Sequence, residues 1–564
     1  MIVMAAAAPS AVFALSDRYV TEAAALDPIM ATSRGVAGHD DRLTDYSPDG
    51  SEARAEHARH TLAELSTLEA GTDADRRAAA VLTERLESAQ AMHDAGEHLR
   101  ALRVLASPVG AIRQVFDLMA TTTPDELDVV ATRMEAVPAA LAGVRAALEE
   151  GLRRQLPAAQ RQVDACVDQC RTWSGADGTG GFFRALADRI RTNEASAALQ
   201  HRIDAAAAGA SDGYAELGHW LRDGYGPGAT GGDGVGLDRY RLWARSSLGS
   251  DLDPHETYAW GWQELHRIEA EMAEVAQEIV PGGSVADAKA ILESDDGRAI
   301  EGEDGLRQFL QDLMDRTIID LDGTHFDIPE PVRRVEAMIA PPGGAAAMYY
   351  TGPSEDFTRP GRTWYPTLGK TRFPLWGEVS ICYHEGVPGH HLQVAQVRYL
   401  QEELSRFQRL TFVPGHGEGW ALYAERLMDE LGYLDNPDYR LGYLRAQCMR
   451  AVRVVVDIGL HLGLDIVDDD AFHPGERWTP NLGREFVITR SHFPEDFMAS
   501  EIIRYLGWPA QAISYKVGER VWLAGRADAE VRRGDRFDLK AFHRYALDLG
   551  PMGLDLLRDE LQAY

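Results

Sequence analysis

Apolar residues recur three and four positions apart through most of this 564-residue chain, which is the spacing of one buried helix face. In residues 15–220 this spacing coincides with many Ala, Leu, Glu and Arg residues, which favour helix, and β-branched runs are rare. Helical spacing returns over residues 237–320 and from residue 383 onward. Loops are expected near residues 412–417 and 466–496. The pattern therefore predicts long packed helices.

The pattern changes between residues 328 and 382, where proline and glycine become frequent. Within this stretch, "RRVEAMIA" and "GRTWYPTLG" are typical of short strands beside loops, and the glycine-rich residues 223–236 predict another loop. We therefore predict a mainly α fold with a small β element. Residues 1–222 form an N-terminal helical region in this prediction. Residues 237–564 form a second helical region, and the two make one compact two-lobed body.

Charge narrows the range of partners. The chain has 57 Lys and Arg residues against 88 Asp and Glu residues, so its formal net charge is −31. An acidic surface of this size repels phosphate backbones and anionic lipids, and no basic patch interrupts it. We therefore expect neither a nucleic-acid partner nor a membrane partner. The sequence indicates no particular oligomeric state.

Cysteine usage and apolar segments indicate the compartment. The four cysteines are too few and too scattered for a disulfide framework, and the four-residue spacing of Cys166 and Cys170 suits core packing on one helix face. The apolar residues 1–15 lack the basic start of a signal peptide and are expected to lead into a helix. No later apolar run reaches the roughly 18–20 residues of a membrane span. The expected compartment is the reducing cytoplasm.

The segment "CYHEGVPGHHLQ" contains the residues that point to chemistry. A His-Glu pair followed closely by another histidine, as in His384 and Glu385, is typical of zinc hydrolases. In those enzymes the histidines bind the metal and the glutamate acts as general base. The usual HExxH spacing brings the two histidines one helical turn apart. Here Pro388 occupies the position of the second histidine, so the sequence does not match the simple HExxH motif.

The second ligand depends on how the helix is distorted. On a straight helix, His390 would lie about 240° from His384, and His391 would lie about 10 Å further along the axis. Pro388 and its flanking glycines allow the insert to bulge, which lets His390 take the usual place of the second ligand. We predict His384 and His390 as metal ligands, with His391 as the alternative.

A third ligand is expected from the later segment "GHGEGWALYAERL". Glu418 stands at the head of this apolar helix, 28 residues after His390. Two histidines and a glutamate make a zinc site that leaves one position open for water. Glu425 follows about two turns later on the same face, where it is placed to hydrogen-bond a ligating histidine. The two segments together predict one zinc ion.

Each of these residues also has an ordinary structural interpretation. The histidines could end a kinked helix, and Glu418 could be a first-turn acid that interacts with the helix dipole. A metal that only stabilises the fold would be expected to have four protein ligands, with His391 or His416 as the fourth. The presence of both segments in one chain favours the catalytic interpretation.

Four stretches of the chain resemble those of a bacterial family named domain of unknown function 885: "HEGVPGHHLQ", "EGWALYAE", "YYTGPSEDFTRPG" and "RYLGWPAQAISYKVG". The likeness extends from "ATSRGVAGHDDRLTDYSPDG" to the final helices. The resemblance implies a mostly helical fold, similar in style to the helical zinc peptidases that include thimet oligopeptidase, angiotensin-converting enzyme and thermostable carboxypeptidase. It also implies zinc on the His-Glu helix and on Glu418.

Polar residues in "EIIRYLGWPAQAISYKVG" interrupt an otherwise apolar helix. A tyrosine hydroxyl is a suitable donor to a developing oxyanion, so Tyr515 and Tyr505 are candidate catalytic residues. A guanidinium or ammonium group suits a peptide carboxylate, so Arg504 and Lys516 are candidate substrate-binding residues. Each of the four could equally be a core tyrosine or a structural salt bridge.

Two further groups complete the candidate set. Tyr350 and Arg359 lie in the strand-like region, which in such peptidases flanks the cleft, and both are candidate substrate-binding residues. Arg453, Asp457 and His461 stand at successive four-residue intervals on a predicted helix. This stripe is either a buried ion ladder or a second oxyanion donor whose tautomer Asp457 sets, and in the second case His461 is catalytic.

These residues predict zinc-dependent hydrolysis of peptide bonds in short peptides, by an oligopeptidase, a dipeptidase or a carboxypeptidase. Glu385 would move the proton, and a tyrosine would stabilise the oxyanion. The first alternative is a zinc hydrolase of a non-peptide amide or ester. The second is a non-catalytic helical scaffold with a structural metal.

Overall fold

The computed structural model of the chain describes residues 10–192, 194–340 and 348–564. Helices dominate these residues and the strands are short, so the predicted mainly α fold is confirmed. The chain divides into two compact units. The first comprises the chain up to Gly236 together with Ile503–Pro509, and the second comprises Leu237–Ile502 together with Ala510–Tyr564.

The first unit consists of helices and their connecting turns. Its α-helices are α1 (Ala11–Leu26), α2 (Pro28–Arg34), α3 (Pro48–Leu65), α4 (Asp73–Asp94), α5 (Pro108–Gln114), α6 (Pro124–Glu135), α7 (Val137–Arg153), α8 (Gln160–Ser174), α9 (Phe182–Arg189) and α10 (Ala197–Trp220). Helix α10 packs against α6, α7, α8 and α9 around an apolar core. Cys166 and Cys170 are buried in that core as free thiols, as their spacing predicts.

Short turns connect these helices, and one segment from far along the chain joins them. The 3-10 turns span Glu97–Arg100, Val115–Leu118 and Gly226–Gly228, and a π-helical turn spans Leu221–Tyr225. The side-chain amide of Gln162 donates to the carbonyl oxygen of Ile503 at 2.8 Å, which ties the segment Ile503–Pro509 to α8. The sequence analysis placed that segment in the second helical region. A contact between residues so far apart in the chain leaves no local pattern that would have shown where the segment packs.

The second unit contains the remaining helices. They are α11 (Leu237–Leu248), α12 (Pro254–Ile279), α13 (Val285–Ser294), α14 (Glu303–Leu321), α15 (Glu378–Glu385), α16 (His390–Tyr399), α17 (Arg406–Leu410), α18 (Pro414–Glu430), α19 (Pro437–Leu462), α20 (Pro480–Arg490), α21 (Glu495–Gly507, whose last residues belong to the first unit), α22 (Ser514–Arg533), α23 (Leu539–Asp548) and α24 (Leu554–Ala563). Helix α19 is buried along almost its whole length and packs against α12, α15 and α20.

Two glycines allow α18 and α22 to touch. A Cβ atom on Gly419 would lie 2.5 Å from the Cα atom of Gly518, so any larger side chain would separate the two backbones. The contact brings the start of α18, with Glu418, next to the start of α22, with Tyr515. Close helix packing thus sets the separation of two predicted site residues.

The strands form two small sheets within the stretch where the sequence predicted them, apart from the first strand. Strand β1 (Ala299–Glu301) pairs antiparallel with β5 (Arg372–Pro374). In the other sheet the order is β2 (Val335–Ile339), β4 (Gly361–Tyr365), β3 (Tyr349–Thr351), with β2 parallel and β3 antiparallel to β4. The two predicted strands correspond to β2 and β4, and short 3-10 turns at Glu330–Arg333 and Leu375–Gly377 flank this region.

Both loops predicted in the second helical region contain helix, and α18 already begins at Pro414, inside the loop predicted near residues 412–417. Helix α20 lies within residues 466–496, where proline and glycine suggested irregular structure. Pro480 occupies its first turn, where no amide donor is needed, and the Thr479 side chain accepts from the amide of Leu482. Among the described residues, no helix combines the length and the apolar character needed to cross a bilayer.

Candidate metal centre

The His-Glu helix is interrupted where the proline insert was expected to distort it. Helix α15 ends at Glu385 and α16 begins at His390. In between, the amide of Gly389 donates to the carbonyl oxygen of Tyr383 at 3.0 Å, and the amide of His391 donates to that of Gly386 at 3.0 Å. The insert therefore bulges out and the chain re-enters helical structure at His390.

The bulge depends on close backbone contact at one glycine. We expect Gly389→Ala to lower the free energy of unfolding by about 3 kcal/mol or more and to weaken zinc binding. A Cβ atom there would lie 2.0 Å from the carbonyl oxygen of His384 and 2.4 Å from that of Tyr383. These are backbone atoms, so α15 itself would have to move. Urea denaturation and zinc titration measure the two effects.

Gly209→Ala is the matched control for this substitution. Gly209 lies inside α10, and a Cβ atom there meets nothing within 4 Å. Alanine at such a helix position is expected to raise stability by up to about 1 kcal/mol. Equal stability of the two alanine variants would contradict the role given to Gly389.

The bulge brings three predicted ligands together. His384, His390 and Glu418 each offer one ligand atom, and these atoms all lie within 4.8 Å of one another. Oε2 of Glu418 lies 3.5 Å from Nε2 of His384 and 3.3 Å from Nε2 of His390. Two imidazole nitrogens and one carboxylate oxygen are the donors that zinc prefers. The donor set therefore fits a zinc ion.

Glu425 orients the first of these ligands. Its Oε1 atom lies 2.7 Å from Nδ1 of His384, and its Oε2 atom accepts from the hydroxyl of Ser380. Arg450 lies beside the same carboxylate, with Nη2 3.5 Å from Oε1. Since Glu425 accepts the proton on Nδ1, Nε2 of His384 is left facing Glu418, where a metal ion would be bound. The sequence analysis placed Glu425 where it could hydrogen-bond a candidate ligand histidine, and the structure contains this contact.

Burial and charge act against each other on the acids of the cluster. Burial raises the pKa of the Glu418 carboxyl, but the nearby imidazoles of His390 and His384 lower it well below its usual range. Burial also raises the pKa of Glu425, and Arg450 and His384 outweigh that effect, so its carboxyl stays ionised. The cluster thus places negative charge where a cation would be bound.

His391, the alternative ligand, is engaged elsewhere. Its Nε2 atom lies 2.7 Å from the carbonyl oxygen of Val332, and its Nδ1 atom lies 2.9 Å from the hydroxyl of Tyr350. Because a carbonyl only accepts, Nε2 carries the proton and Nδ1 accepts from the tyrosine. Burial lowers the pKa of His391 to about 4, which keeps the ring neutral. His391 therefore fastens α16 to its neighbours, and His390 is the better candidate for the second ligand.

His416, the other candidate for a fourth ligand, is also placed away from the cluster. Its Nδ1 atom lies 3.2 Å from the side-chain nitrogen of Gln393, and its ring packs edge-on against Trp522. Burial lowers the pKa of His416 to about 3. Among the described residues, the metal-ligating group has only the three members named above.

Glu385 lies next to the cluster without joining it. Its side chain is buried, with 7% of its surface exposed. Burial raises the pKa of the Glu385 carboxyl, against the opposing effect of His384 and His390. A carboxylate held beside the metal ligands, with a raised proton affinity, has the properties of a general base.

Of the two candidate tyrosines, Tyr515 is the one that lies in the second unit, beside the candidate metal ligands. Its ring lies 6.4 Å from that of His384, with 21° between the two planes. The guanidinium carbon of Arg453 lies 4.8 Å from the centre of the same ring. Tyr505 and Arg504 belong to the first unit, where the guanidinium lies over the tyrosine ring at 4.8 Å.

Two predicted substrate-binding residues have structural partners instead. Lys516 is 1% exposed, and its ammonium group contacts three acceptors, on Gln447, Glu264 and Glu519. An ammonium group has three protons, so none is left for a substrate carboxylate, and this assignment is corrected. The hydroxyl of Tyr350 donates to His391, which makes it a support for α16.

The last two candidates lie outside the ligand group. His461 packs beside Tyr240 and lies 3.8 Å from Asp457, whose other oxygen accepts from the Tyr240 hydroxyl. On α19 it follows Arg450 by eleven residues, or about 16 Å along the axis. This favours the buried structural interpretation of the stripe. Arg359 is exposed in the loop between β3 and β4.

Phe412 is a site residue that the sequence analysis missed. Its ring lies 6.5 Å from that of His390, yet 40% of its surface is exposed. A Cβ atom on Gly417 would lie 2.4 Å from the ring, so the glycine before Glu418 makes room for it. One apolar residue in a predicted loop has no periodic pattern that would reveal this position.

Comparison with known proteins identifies the family and the fold. A family model described as bacterial protein of unknown function (DUF885) matches residues 28–561, whereas no match was found among curated proteins. A crystal structure described as a "putative lipoprotein" from Colwellia psychrerythraea has a TM-score of 0.82 at 23% identity, over 98% of each chain. A similarly described protein of unknown function from Shewanella oneidensis has a TM-score of 0.73 at 18% identity, over 98% of this chain and 99% of its own. At these identities the likeness shows the fold alone.

Proposed function

Since the chain belongs to a bacterial family of unknown function, DUF885, its activity has to be inferred from the site, and we propose that it is a zinc-dependent hydrolase of amide bonds in short peptides. The observation that carries this proposal is the three-ligand cluster of His384, His390 and Glu418 with Glu385 beside it. A structural zinc site has four protein ligands, whereas a catalytic site has three and an open position.

The chain's own residues would divide the reaction between them. A zinc ion, when bound, polarises the substrate carbonyl and lowers the pKa of water. Glu385 would accept the proton from the attacking water and deliver it to the leaving amine. The hydroxyl of Tyr515 is the candidate donor to the oxyanion, and Glu425 would hold His384 in the required orientation.

The preference for peptides over other amides or esters rests on the sheet beside α16. Strand β3 is an edge strand, and an edge strand offers backbone donors and acceptors to an extended peptide. Tyr350 of this strand contacts His391, the neighbour of the ligand His390, so the edge lies close to the metal cluster. A zinc hydrolase of a non-peptide amide or ester is the alternative, and it would make no use of this edge.

We place the enzyme in a reducing, cytoplasmic compartment as part of the same proposal. The four cysteines are free and buried. A scaffold with a purely structural metal is the weaker candidate, because both ring nitrogens of His391 are hydrogen-bonded elsewhere and His416 lies outside the three-residue ligand group of the described residues.

Zinc-loaded protein is expected to cleave members of a mixed peptide pool and to lose this activity in chelator. Mass spectrometry maps the cleaved bonds, and elemental analysis gives the metal content. The expected content is one zinc ion per chain, with activity restored when zinc is added back. Peptide cleavage that chelator leaves untouched would contradict the proposal, and so would cleavage of acylated amino acids or esters alone.

A further inference from the structure

Three arginines of the second unit lie near one another. The loop of Arg359 contacts the chain just after α16, where the side-chain amide of Gln401 donates to the carbonyl oxygen of Glu355 at 3.0 Å, and both Arg359 and Arg409 act electrostatically on Arg398. This arginine cluster consists of Arg359 in the loop between β3 and β4, Arg398 on α16 and Arg409 on α17. The acidic partner of Arg398 is Glu355, whose carboxylate lies 3.8 Å from Nη1 and is 46% exposed. Among the described residues, Arg359 and Arg409 form no ion pair.

Several nitrogen atoms of the cluster also lack a hydrogen-bond partner. Nε and Nη1 of Arg398 and Nε of Arg409 are buried and have no acceptor among the described residues. A buried donor without an acceptor costs about 1–3 kcal/mol, and more when it is charged. Guanidinium groups so placed favour an oxyanion ligand, which accepts several N–H bonds at once.

The electrostatic environment of Arg398 also favours an anionic ligand. Burial lowers the pKa of Arg398, and Arg409 and Arg359 lower it further, against the opposing effect of Glu355. This is the behaviour of like charges that repel one another in a partly buried place. The chain as a whole has a net charge of −31, so a local excess of positive charge is not a general property of its surface.

Two chain segments connect the cluster to the metal centre. Along α16, eight residues separate His390 from Arg398, or about 12 Å. Along the second segment, three residues separate Arg409 from Phe412, or at most about 10 Å. The Phe412 ring lies 6.5 Å from that of His390. Both segments thus run from the cluster to the same metal ligand.

We propose that the arginine cluster is a subsite for a carboxylate of the peptide substrate. An extended peptide advances about 3.3 Å per residue, so the carboxylate recognised would lie about three to four residues from the bond that is cleaved. It is either the C-terminal carboxylate or an acidic side chain at that distance. This inference rests on the proposed function, because the peptide is taken to lie in the metal centre.

Matched peptides test the subsite directly. One pair of short, otherwise neutral peptides ends in a free carboxylate or in a carboxamide. A second pair, with both members amidated, carries Asp or Asn within the chain. Dissociation constants are measured by calorimetry with the zinc-loaded, full-length Glu385→Gln protein. In at least one pair, the carboxylate member is expected to bind about tenfold tighter or more than its neutral partner, and the pair that differs identifies the source of the carboxylate.

Arginine variants in the same background assign the effect to the cluster. Arg409→Gln and Arg398→Gln are each expected to bring the ratio of the two dissociation constants close to one. Arg520→Gln is the matched control, because Arg520 is an exposed arginine on α22 that pairs with Glu256, and this variant should keep the full ratio. Circular dichroism and zinc content verify that each variant is folded.

The outcomes separate this inference from the proposed function. Equal binding within both pairs would overturn the subsite, as would a ratio that survives Arg409→Gln and Arg398→Gln. Turnover by the wild-type protein without any carboxylate preference would leave the hydrolase standing and remove the subsite. A preference in binding, with no turnover of any peptide by the wild-type protein, would support the subsite and contradict the hydrolase.

Discussion

Glu385→Gln is expected to lower the turnover of peptides about 10²–10⁴-fold while the protein still binds zinc. Glutamine keeps the shape of the side chain but cannot accept the proton of the attacking water. The carboxylate lies beside the metal ligands without being one of them, so its loss should leave the metal content unchanged. Steady-state kinetics on a cleaved peptide, together with elemental analysis, measure both quantities.

Glu378→Gln is the matched control, because Glu378 begins the helix that Glu385 ends. Burial raises the pKa of the Glu378 carboxyl as well, so the two substitutions remove similar groups about 10 Å apart along one helix. Turnover is expected to stay close to the wild-type value in this control. Full activity of Glu385→Gln would contradict its role as general base and favour a scaffold in which the metal is structural.

His390→Gln and His391→Gln are expected to have opposite effects, although the two residues are adjacent. Zinc at 100 times its dissociation constant stabilises a protein by about 2.7 kcal/mol when it binds only the folded state. The wild-type protein and His391→Gln should show this gain, and His390→Gln should lose it. The reason is that Nε2 of His390 faces Glu418, whereas both ring nitrogens of His391 are hydrogen-bonded elsewhere.

The metal-free proteins supply the complementary measurement. His391→Gln breaks two buried hydrogen bonds and is expected to lower the free energy of unfolding by about 1–3 kcal/mol. His390→Gln should cost less, since Glu418 is the polar partner of the His390 imidazole among the described residues. Denaturant unfolding with and without zinc gives all four values. A zinc-dependent gain retained by His390→Gln but lost in His391→Gln would reverse the ligand assignment.

The sequence was most informative where the signal is local. Apolar spacing predicted the helices, and the changed composition of residues 328–382 predicted strands β2 and β4. Within the site, the types and spacing of His384, Glu385 and Glu418 predicted the group of candidate ligands that the fold brings together and the carboxylate beside it. The same spacing placed Glu425 two turns after Glu418, and it hydrogen-bonds His384.

The sequence was least informative where partners come from distant segments. Lys516 looked available for a substrate, but Glu264 on α12 and Gln447 on α19 take two of its three protons. Tyr350 was predicted to bind substrate, but its hydroxyl donates a hydrogen bond to His391. No local pattern records such pairings, because residues far apart in the chain meet only after folding.

The amino-acid order alone determined that this protein is helical, that one segment carries a histidine pair around a glutamate, and that a second segment supplies the acid to complete a zinc-type donor set. Only the tertiary structure placed His390, and not His391, in the candidate donor set, and it also revealed Phe412 and the arginine cluster. The physical reason is that a donor atom becomes a ligand only when no nearer group uses it. That condition depends on the directions of side chains, which packing sets.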